Sequence, residues 1–208
     1  ISRELVDDDQ IGAAQKSARN FTKGYYRGRE RFFARMIGEA LQGNTEMKIG
    51  NRVFDLKSAD GSAMFSKTHT PKISGKKQTN LYSDAFSATA LLAGATAMQN
   101  LKGDNNEILN MCPDTIIIPN NAALKQAVLT ALASIQLPGT NNNDINPNQG
   151  VYKLIVYPYL NDFLGSLTAP WILMDSNFMK DADCAIFQNR VPMEVSDRRE
   201  INKYFWDG

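Results

Sequence analysis

The sequence predicts an α+β fold in which a long helix is followed by short strands, further helices and a small α/β half. The first observation is a helical stripe of apolar residues over about thirty positions near the start of the chain. The second is a pair of β-branched runs, Thr115–Ile118 and Lys153–Tyr157, each as long as a single strand. The third is a set of Asn-, Gly- and Pro-rich segments between these elements. With 208 residues and 43% hydrophobic content, the chain can bury the core of one domain or of two closely joined domains.

Composition and motif content exclude several kinds of protein. No apolar run approaches the ~20 residues of a membrane-spanning helix, so we expect a soluble intracellular protein with no membrane partner. Cys112 and Cys184 lie far apart without histidine neighbours, so we expect two small buried side chains and no metal, disulfide or cofactor site. Phosphate-loop and nucleophile-elbow motifs are missing, so the sequence predicts no enzyme. Because the chain begins at Ile1, we expect it to be a piece of a longer polypeptide.

Charge is distributed unevenly, although the net charge is only +1. Residues 1–102 carry 16 Lys and Arg against 10 Asp and Glu, whereas residues 103–208 carry 7 against 12. Two interpretations stay open. Oppositely charged faces meet when copies of the chain associate, or two solvated surfaces simply differ in sign.

The long helix is predicted between Leu5 and Leu41. The acidic run Asp7–Asp9 suits a helix N-terminus, and Gly43 and Asn44 supply a stop. The helix would act as a spine along which other elements pack, with Phe32 in the core. Its apolar stripe consists of Ile11, Ala14, Ala18, Phe21, Tyr25, Phe32, Met36 and Ala40.

The opposite face of this helix is strongly basic. It carries Lys16, Arg19, Lys23, Arg27, Arg31 and Arg35. Such a row is compatible with a nucleic-acid contact, and equally with a solvated or intersubunit face. The second interpretation is favoured, because the aromatic residues of this helix belong to the apolar stripe and would not be free to stack on bases.

Short alternating segments follow the helix. Met47–Asp55 predicts a β-hairpin that turns at Gly50 and Asn51. Lys67–Thr79 is polar and is expected to be an exposed, mobile loop that contains the single histidine, His69. A catalytic base needs an orienting acid and a nucleophile close in space, and Asp60 is only near in sequence, so we predict no catalytic role.

The remaining elements alternate between helix and strand. Ser83 is predicted to cap a second helix whose alanine-rich side, including Ala90 and Ala93, packs on the long helix. The Thr115–Ile118 strand is expected to be covered on both faces, and it leads into a third helix. Strands are also predicted at residues 153–157 and 171–174. The C-terminal residues 185–196 are expected to be extended.

Between the third helix and the next strand lies an uncharged, Asn-rich loop, Pro138–Gly150. Its candidate site residues are Asn141, Asn142, Asn143 and Asp144. Calcium needs several oxygen ligands including carboxylates, and Asp144 is the only acidic residue in the loop. We therefore predict a flexible connector and no metal site.

The order of these segments is similar to that of the major head proteins of tailed phages, particularly the Mu-type head subunit branch of the Hong Kong 97 capsid fold. The likeness extends from Leu5 to Trp206, and order and spacing carry it more than any single motif. The segments that carry it are the spine helix, Asp60–Ser66 with His69, a helix, the Pro113–Pro119 strand, a Tyr157–Leu160 strand and the Trp171–Met174 strand.

The resemblance implies a Hong Kong 97-like fold with two domains. A peripheral-type domain would hold the spine helix within residues 1–110 and be completed by residues 186–208. An α/β axial-type domain would hold residues 111–185, with the Asn141–Asp144 loop near the axis of the capsomer. The family's N-terminal arm and extended loop have no counterpart in this chain.

The resemblance also implies a function carried out by self-assembly. Hexamers and pentamers would tile the icosahedral shell of a virion around double-stranded DNA held without sequence preference. Assembly would take place in the host bacterial cytoplasm, with a scaffolding protein and a portal as further partners. The basic helix face would contact a neighbouring subunit or packaged DNA. Two alternatives stay open, namely an encapsulin-like or prophage-derived compartment shell protein and a DNA-binding module.

Overall fold

The computed structural model describes residues 13–139 and 144–181. These residues form two compact units, one of residues 13–29 and one of the described residues from Glu30 onward. The predicted start of the long helix, the predicted C-terminal extended segment and Cys184 lie outside the described residues.

Helices and small sheets share the described residues, which confirms the predicted α+β class. The predicted hairpin is also confirmed, and its turn holds Gly50 at a φ of +56°, a conformation that glycine adopts without strain. The order is α1 (Ala13–Leu41), β1 (Glu46–Ile49), β2 (Arg52–Asp55), α2 (Ala88–Gln99), β3 (Thr115–Ile118), α3 (Ala122–Ala133), β4 (Lys153–Val156), a 3-10 helix (Pro158–Phe163), β5 (Ile172–Met174) and α4 (Ser176–Asp181).

The second sheet has three strands in the order β4, β3, β5. β3 pairs in parallel with β4, and Thr115 lies opposite Lys153. It pairs antiparallel with β5, and Ile117 lies opposite Ile172. Parallel neighbours need a crossover connection, which α3 supplies, so β3, α3 and β4 form a βαβ unit. The strands predicted at residues 115–118, 153–157 and 171–174 are confirmed to within one residue. The prediction of a strand at Tyr157–Leu160 is wrong, because Pro158 begins the 3-10 helix.

This sheet is covered on both faces, as the unbroken apolar run of β3 predicts. In β5, Ile172 packs against one hydrophobic cluster and its neighbour Leu173 against the other, because successive side chains of a strand point to opposite faces. The cluster on the Leu173 face consists of Leu91, Ile116, Ile118, Leu124 and Val128. The cluster on the Ile172 face consists of Ile37, Leu160 and Leu164.

The last turns of α1 approach the 3-10 helix closely, and a glycine permits the approach. A Cβ atom on Gly38 would lie 2.5 Å from the carbonyl oxygen of Phe163 and 2.7 Å from its Cβ. The side-chain amide of Gln42 donates to the same carbonyl oxygen at 2.9 Å. We call the contact between residues 30–42 and residues 157–163 the spine seat.

The buried face of α1 differs from the predicted apolar stripe. Ile37 and Ala40 are buried, whereas Phe21 is 70% exposed and Phe32 is 38% exposed. Phe32 lies at the edge of the buried face, where its ring meets that of Phe54 edge to face with centroids 5.2 Å apart. The prediction of Phe32 as a core residue is therefore wrong. Ala34, Gly38 and Ala40 lie on the buried face and let the helix backbone approach the 3-10 helix, so the larger ring of Phe32 lies at the edge of the contact.

The second helix begins later than predicted. Its N-cap is Ser87, not Ser83, and the Ser87 hydroxyl accepts a hydrogen bond from the Ala90 N–H at 3.0 Å. The preceding residues stay irregular because the Asp84 carbonyl accepts the indole N–H of Trp171 at 3.2 Å. The prediction that the Ala90 side packs on the long helix is wrong, since α2 faces the sheet through Ala88, Leu91 and Ala95.

Residues 66–80, within which the sequence predicts a mobile loop, form a hydrogen-bonded segment that we call the strap. His69 and Gln78 exchange two backbone hydrogen bonds, of 2.7 and 2.9 Å. One carboxylate oxygen of Asp60 lies 3.1 Å from Nδ1 of His69 and accepts the Thr70 N–H at 2.9 Å. The base of the strap is thus fixed to the turn that precedes it.

The tip of the strap is fixed as well. The carboxylate of Asp104 accepts the Ile73 N–H at 2.9 Å, and its carbonyl oxygen accepts the Ser74 N–H at 3.1 Å. The side chain of Gln78 both donates to the carbonyl oxygen of Lys102 and accepts from its N–H, at 2.7 Å in each case. The lysine-rich segment therefore has contacts along its whole length.

The described part of the predicted flexible connector, residues 144–150, is anchored to the helices. Asn146 is 3% exposed, and its amide donates to the carbonyl oxygens of Ala131 and Ser134 at 2.7 and 2.8 Å. Asn148 is 1% exposed and donates to a carbonyl oxygen of α2 at 3.1 Å. The prediction of a loose connector is wrong for these residues, because buried amides satisfy carbonyl groups of the helices. Asn141, Asn142 and Asn143 lie outside the described residues.

Substituting Gly38 tests the spine seat. Gly38→Ala is expected to lower the free energy of unfolding by about 1–3 kcal/mol, because the added methyl group meets backbone atoms that cannot rotate away. Gly28→Ala is the matched control on the same helix, where the new Cβ has no atom within 4 Å. It should be neutral or stabilise by up to about 1 kcal/mol. Urea denaturation measures both, and equal effects of the two substitutions would contradict the close approach.

The Asp60 carboxylate gives the strap a defined dependence on pH. Hydrogen bonds from the Ser58 hydroxyl, from the Thr70 and Ser62 N–H groups and from His69 hold the pKa of Asp60 well below its usual range. A lowered pKa contributes stability above the unfolded value of about 4, and this contribution is lost as pH falls towards the folded value.

We therefore expect Asp60→Asn to be less stable than the parent chain at neutral pH, and the difference to shrink below about pH 4. Urea midpoints between about pH 7 and pH 2 measure it. Asp84→Asn, at an exposed carboxylate outside this network, is the control. Parallel pH curves for the parent chain and Asp60→Asn would show that the network does not favour the ionised carboxylate.

Candidate functional site

Four of the six predicted basic-face residues lie in the first unit, on the part of α1 between residues 13 and 29. Their spacing of three and four residues puts them on one side of a helix. All four side chains are exposed, namely Lys16, Arg19, Lys23 and Arg27. The structure therefore keeps these cations together on one surface.

Large aromatic side chains are exposed on the same part of α1. Phe21 is 70% exposed and Tyr26 is 52% exposed. The rings of Tyr25 and Tyr26 meet edge to face with centroids 5.5 Å apart, and the guanidinium of Arg29 lies 5.2 Å from the Tyr26 centroid. Exposed apolar groups that cluster in this way mark surfaces that bind other macromolecules. We call these aromatic residues, with the four cations above, the helix surface.

The other two members of the predicted basic face have contacts within the second unit. A nitrogen of Arg31 lies 3.2 Å from a carboxylate oxygen of Asp162, and Nε of Arg35 lies 3.6 Å from Glu39. Both guanidinium groups also lie against the ring of Phe163, 6.0 and 5.9 Å from its centroid. Arg31 and Arg35 therefore orient the spine seat, although an ion pair as exposed as Arg31 with Asp162 adds only about 0–1 kcal/mol.

Tyr157 adds a polar contact to the spine seat. Its hydroxyl donates to the carbonyl oxygen of Glu30 at 2.7 Å and lies 3.3 Å from the Glu30 carboxylate. Burial first, and the Glu30 charge second, raise the pKa of Tyr157 to about 12. The hydroxyl therefore stays protonated and donates this hydrogen bond throughout the physiological pH range.

Beside the predicted axial loop, the structure places two exposed isoleucines that the sequence analysis did not select. Asp144 is exposed, and its carbonyl oxygen accepts the Leu137 N–H at 2.9 Å. Ile145 is 86% exposed and Ile135 is 73% exposed. The Asn146 N–H donates to the carbonyl oxygen of Ile135, so the two isoleucines lie on adjacent backbone segments. Ile135 lies two residues beyond Ala133, the last residue of α3.

The single histidine and the described cysteine, which are residue types often used in catalysis, make structural contacts here. His69 lies with one ring nitrogen 3.1 Å from Asp60 and the other 3.1 Å from the side-chain oxygen of Asn80. Cys112, predicted to be buried, is exposed, although its backbone N–H donates to the buried carboxylate of Asp175 at 2.7 Å. Among residues 13–139 and 144–181, no group of three or more His, Cys, Asp or Glu could hold a metal ion.

Hydropathy adds one finding about the helices. Within the part of the chain that the structure describes, no helix combines the length and the apolar character needed to cross a membrane.

Comparison with known proteins gives one match. Neither the curated proteins nor the solved structures yield a significant relative of the chain. The model of the phage capsid protein family matches residues 1–207, which is nearly the whole sequence. The chain therefore belongs to the phage capsid protein family, and its role is that of a structural protein of the phage virion.

Proposed function

We propose that the chain is a major capsid protein of the Hong Kong 97 fold, in the Mu-type head branch. Hexamers and pentamers of it would form an icosahedral head around double-stranded DNA. The family match supports the capsid role, and the succession of spine helix, hairpin and α/β half supports the fold. The observation that carries the proposal is the helix surface, because exposed aromatic rings beside a row of cations suit a protein made to contact copies of itself.

The proposed domains follow the predicted boundaries. Residues 111–185 would be the axial-type domain, and the sheet of β3, β4 and β5 with α3 supports this, since all four elements fall within that range. Residues 1–110, completed by residues 186–208, would be the peripheral-type domain with the spine helix.

Within such a shell, the helix surface would form a contact between subunits. Phe21 and Tyr25, predicted to lie on a buried stripe, are instead exposed beside these cations, as is Tyr26. A double helix offers them no unpaired base to stack on, so a neighbouring subunit suits these rings better than packaged DNA. Protein interfaces are enriched in aromatic residues and Arg, and Arg19 and Arg27 lie on this surface. The four cations would pair with the acidic second half of a neighbouring copy, which carries an excess of Asp and Glu.

The axial loop would form a second contact. Residues 141–144 with Ile135 and Ile145 would lie near the axis of the capsomer, where copies of the loop meet around a symmetry axis. The exposure of both isoleucines supports this, because an apolar pair in water is stabilised when a partner covers it. A scaffolding protein and a portal would be further partners, and assembly would take place in the host bacterial cytoplasm.

Charge reversal at Arg27 tests the helix surface. Arg27→Glu is expected to abolish closed shells while changing the free energy of unfolding by only about 0.5 kcal/mol, because the side chain is exposed. Lys125→Glu makes the same change of charge on an exposed position of α3 and should leave assembly intact. Size-exclusion chromatography and negative-stain electron microscopy of the natural full-length protein measure assembly. Closed shells formed normally by Arg27→Glu would exclude this surface from the contact.

Ile145→Asp tests the axial loop. With the side chain 86% exposed, the substitution should preserve the fold and prevent rings of five-fold or six-fold symmetry, since it puts like charges around a shared axis. Val53→Asp, at a 57% exposed position of the hairpin, is the apolar-to-acid control. If the parent protein forms no rings or shells under any condition, including with its scaffold, the capsid assembly proposed above is wrong.

A further inference from the structure

The strap carries a second basic surface that the helix surface does not include. Residues 61–83 contain four lysines and no Asp or Glu. All four side chains are exposed, namely Lys67, Lys72, Lys76 and Lys77. Within residues 13–139 and 144–181, none of them forms an ion pair with a carboxylate. In the sequence, the absence of acidic residues from this stretch indicates the basic surface better than the number of lysines does.

Three of these lysines flank a closed turn at the tip of the strap. The Gly75 N–H donates to the carbonyl oxygen of Pro71 at 3.0 Å, and Gly75 adopts a φ of +62°. Asp104 holds the same turn through its two hydrogen bonds to strap N–H groups. Because the backbone is already ordered, a ligand that binds the lysines pays little conformational entropy for the loop.

The nearest carboxylates are engaged by the strap itself. Asp60 accepts the N–H groups of Ser62 and Thr70, and Asp104 accepts that of Ile73. These hydrogen bonds hold the carboxylates against the backbone. The lysine side chains are exposed, and residues 66–80 contain no Asp or Glu.

We propose that the strap lysines bind the phosphate backbone of double-stranded DNA. The inference rests on the proposed shell and deepens it, because it assigns packaged DNA to a surface other than the helix surface. Lysine without arginine suits phosphates bound as point charges, whereas interfaces between proteins are enriched in Arg and depleted in Lys. Residues 66–80 contain no Phe, Tyr or Trp on which an unpaired base could stack, so a duplex is the better ligand.

The test removes the three charges at the tip. A triple variant, Lys72→Gln, Lys76→Gln and Lys77→Gln, is compared with a control that loses the same charge at other exposed positions, Lys48→Gln, Lys125→Gln and Lys153→Gln. The probe is a fluorescent duplex of about 30 base pairs with no preferred sequence, and anisotropy is recorded from about 50 to 200 mM salt. The slope of log K against log salt should fall by about 3 in the tip variant and stay unchanged in the control.

Ile73 separates DNA from a protein partner. It is 72% exposed between the lysines and is the side chain that a second subunit would cover. Ile73→Ser should leave the DNA affinity unchanged. An unaltered salt slope in the tip variant overturns the proposal, and so does loss of assembly with unchanged DNA binding, which would assign the strap to a neighbouring subunit.

A measurement on the unsubstituted chain guards against misfolding of the variants. Bound duplex should protect Lys72, Lys76 and Lys77 from acetylation, as read by mass spectrometry, and leave Lys125 reactive. Equal reactivity with and without DNA contradicts the inference. A chain whose strap is protected by DNA but which forms no shells would refute the proposed assembly and support the strap contact, so the two failures are distinguishable.

Discussion

The close approach of Gly38 to Phe163 is the constraint on which the second unit depends. Because position 38 has no side chain, the backbone of α1 comes near enough for Gln42 to bond the Phe163 carbonyl and for Ile37 to join Leu160 and Leu164. The 3-10 helix follows β4 directly, so fixing it to α1 also covers the second face of the sheet. Leu91 of α2, with Leu124 and Val128 of α3, covers the other face, and the contact at Gly38 closes the second face to complete the core.

Burying small residues on α1 has a consequence for its surface. Phe32 and Phe33, next to the buried Ala34, are 38% and 41% exposed, and two arginines at the seat lie against Phe163. The same choice of residues therefore produces a tightly packed contact and an exposed apolar surface. A monomer gains nothing from that exposure, whereas a shell protein needs surfaces that are stable alone and more stable when covered.

Elements decided by local sequence were predicted well, and those decided by distant partners were not. β3 and the hairpin follow from β-branched runs and a turn glycine, which need no tertiary information. Ser87 and not Ser83 is the N-cap of α2, because the indole of Trp171 donates a hydrogen bond to the Asp84 carbonyl just before the helix. The spacing of the basic residues predicts that they share one helix face, but no residue near Arg31 in the sequence indicates its contact with Asp162, which lies 131 residues away. Asn146 and Asn148 were predicted in a flexible loop because Asn is common in loops. Their hydrogen bonds to carbonyl groups of α2 and of the end of α3 depend on the tertiary fold, so the local sequence does not indicate them.

The helix surface and the strap are both basic, but they differ in chemistry. This difference suits them to different partners, a neighbouring subunit for the first and a nucleic acid for the second. The helix surface combines two Lys and two Arg with aromatic rings, and the aromatic part of such a contact gains from desolvation and depends weakly on salt once formed. The strap has lysines alone, held on an ordered backbone with its nearby carboxylates engaged, and such a group interacts through charge that salt screens. On the contacts proposed above, high salt would loosen DNA from the strap while leaving apolar subunit contacts in place. In such a shell, apolar burial would stabilise the contacts between subunits and screened charge would stabilise the contacts with DNA. The packing of the DNA would then change with salt while the shell kept its geometry.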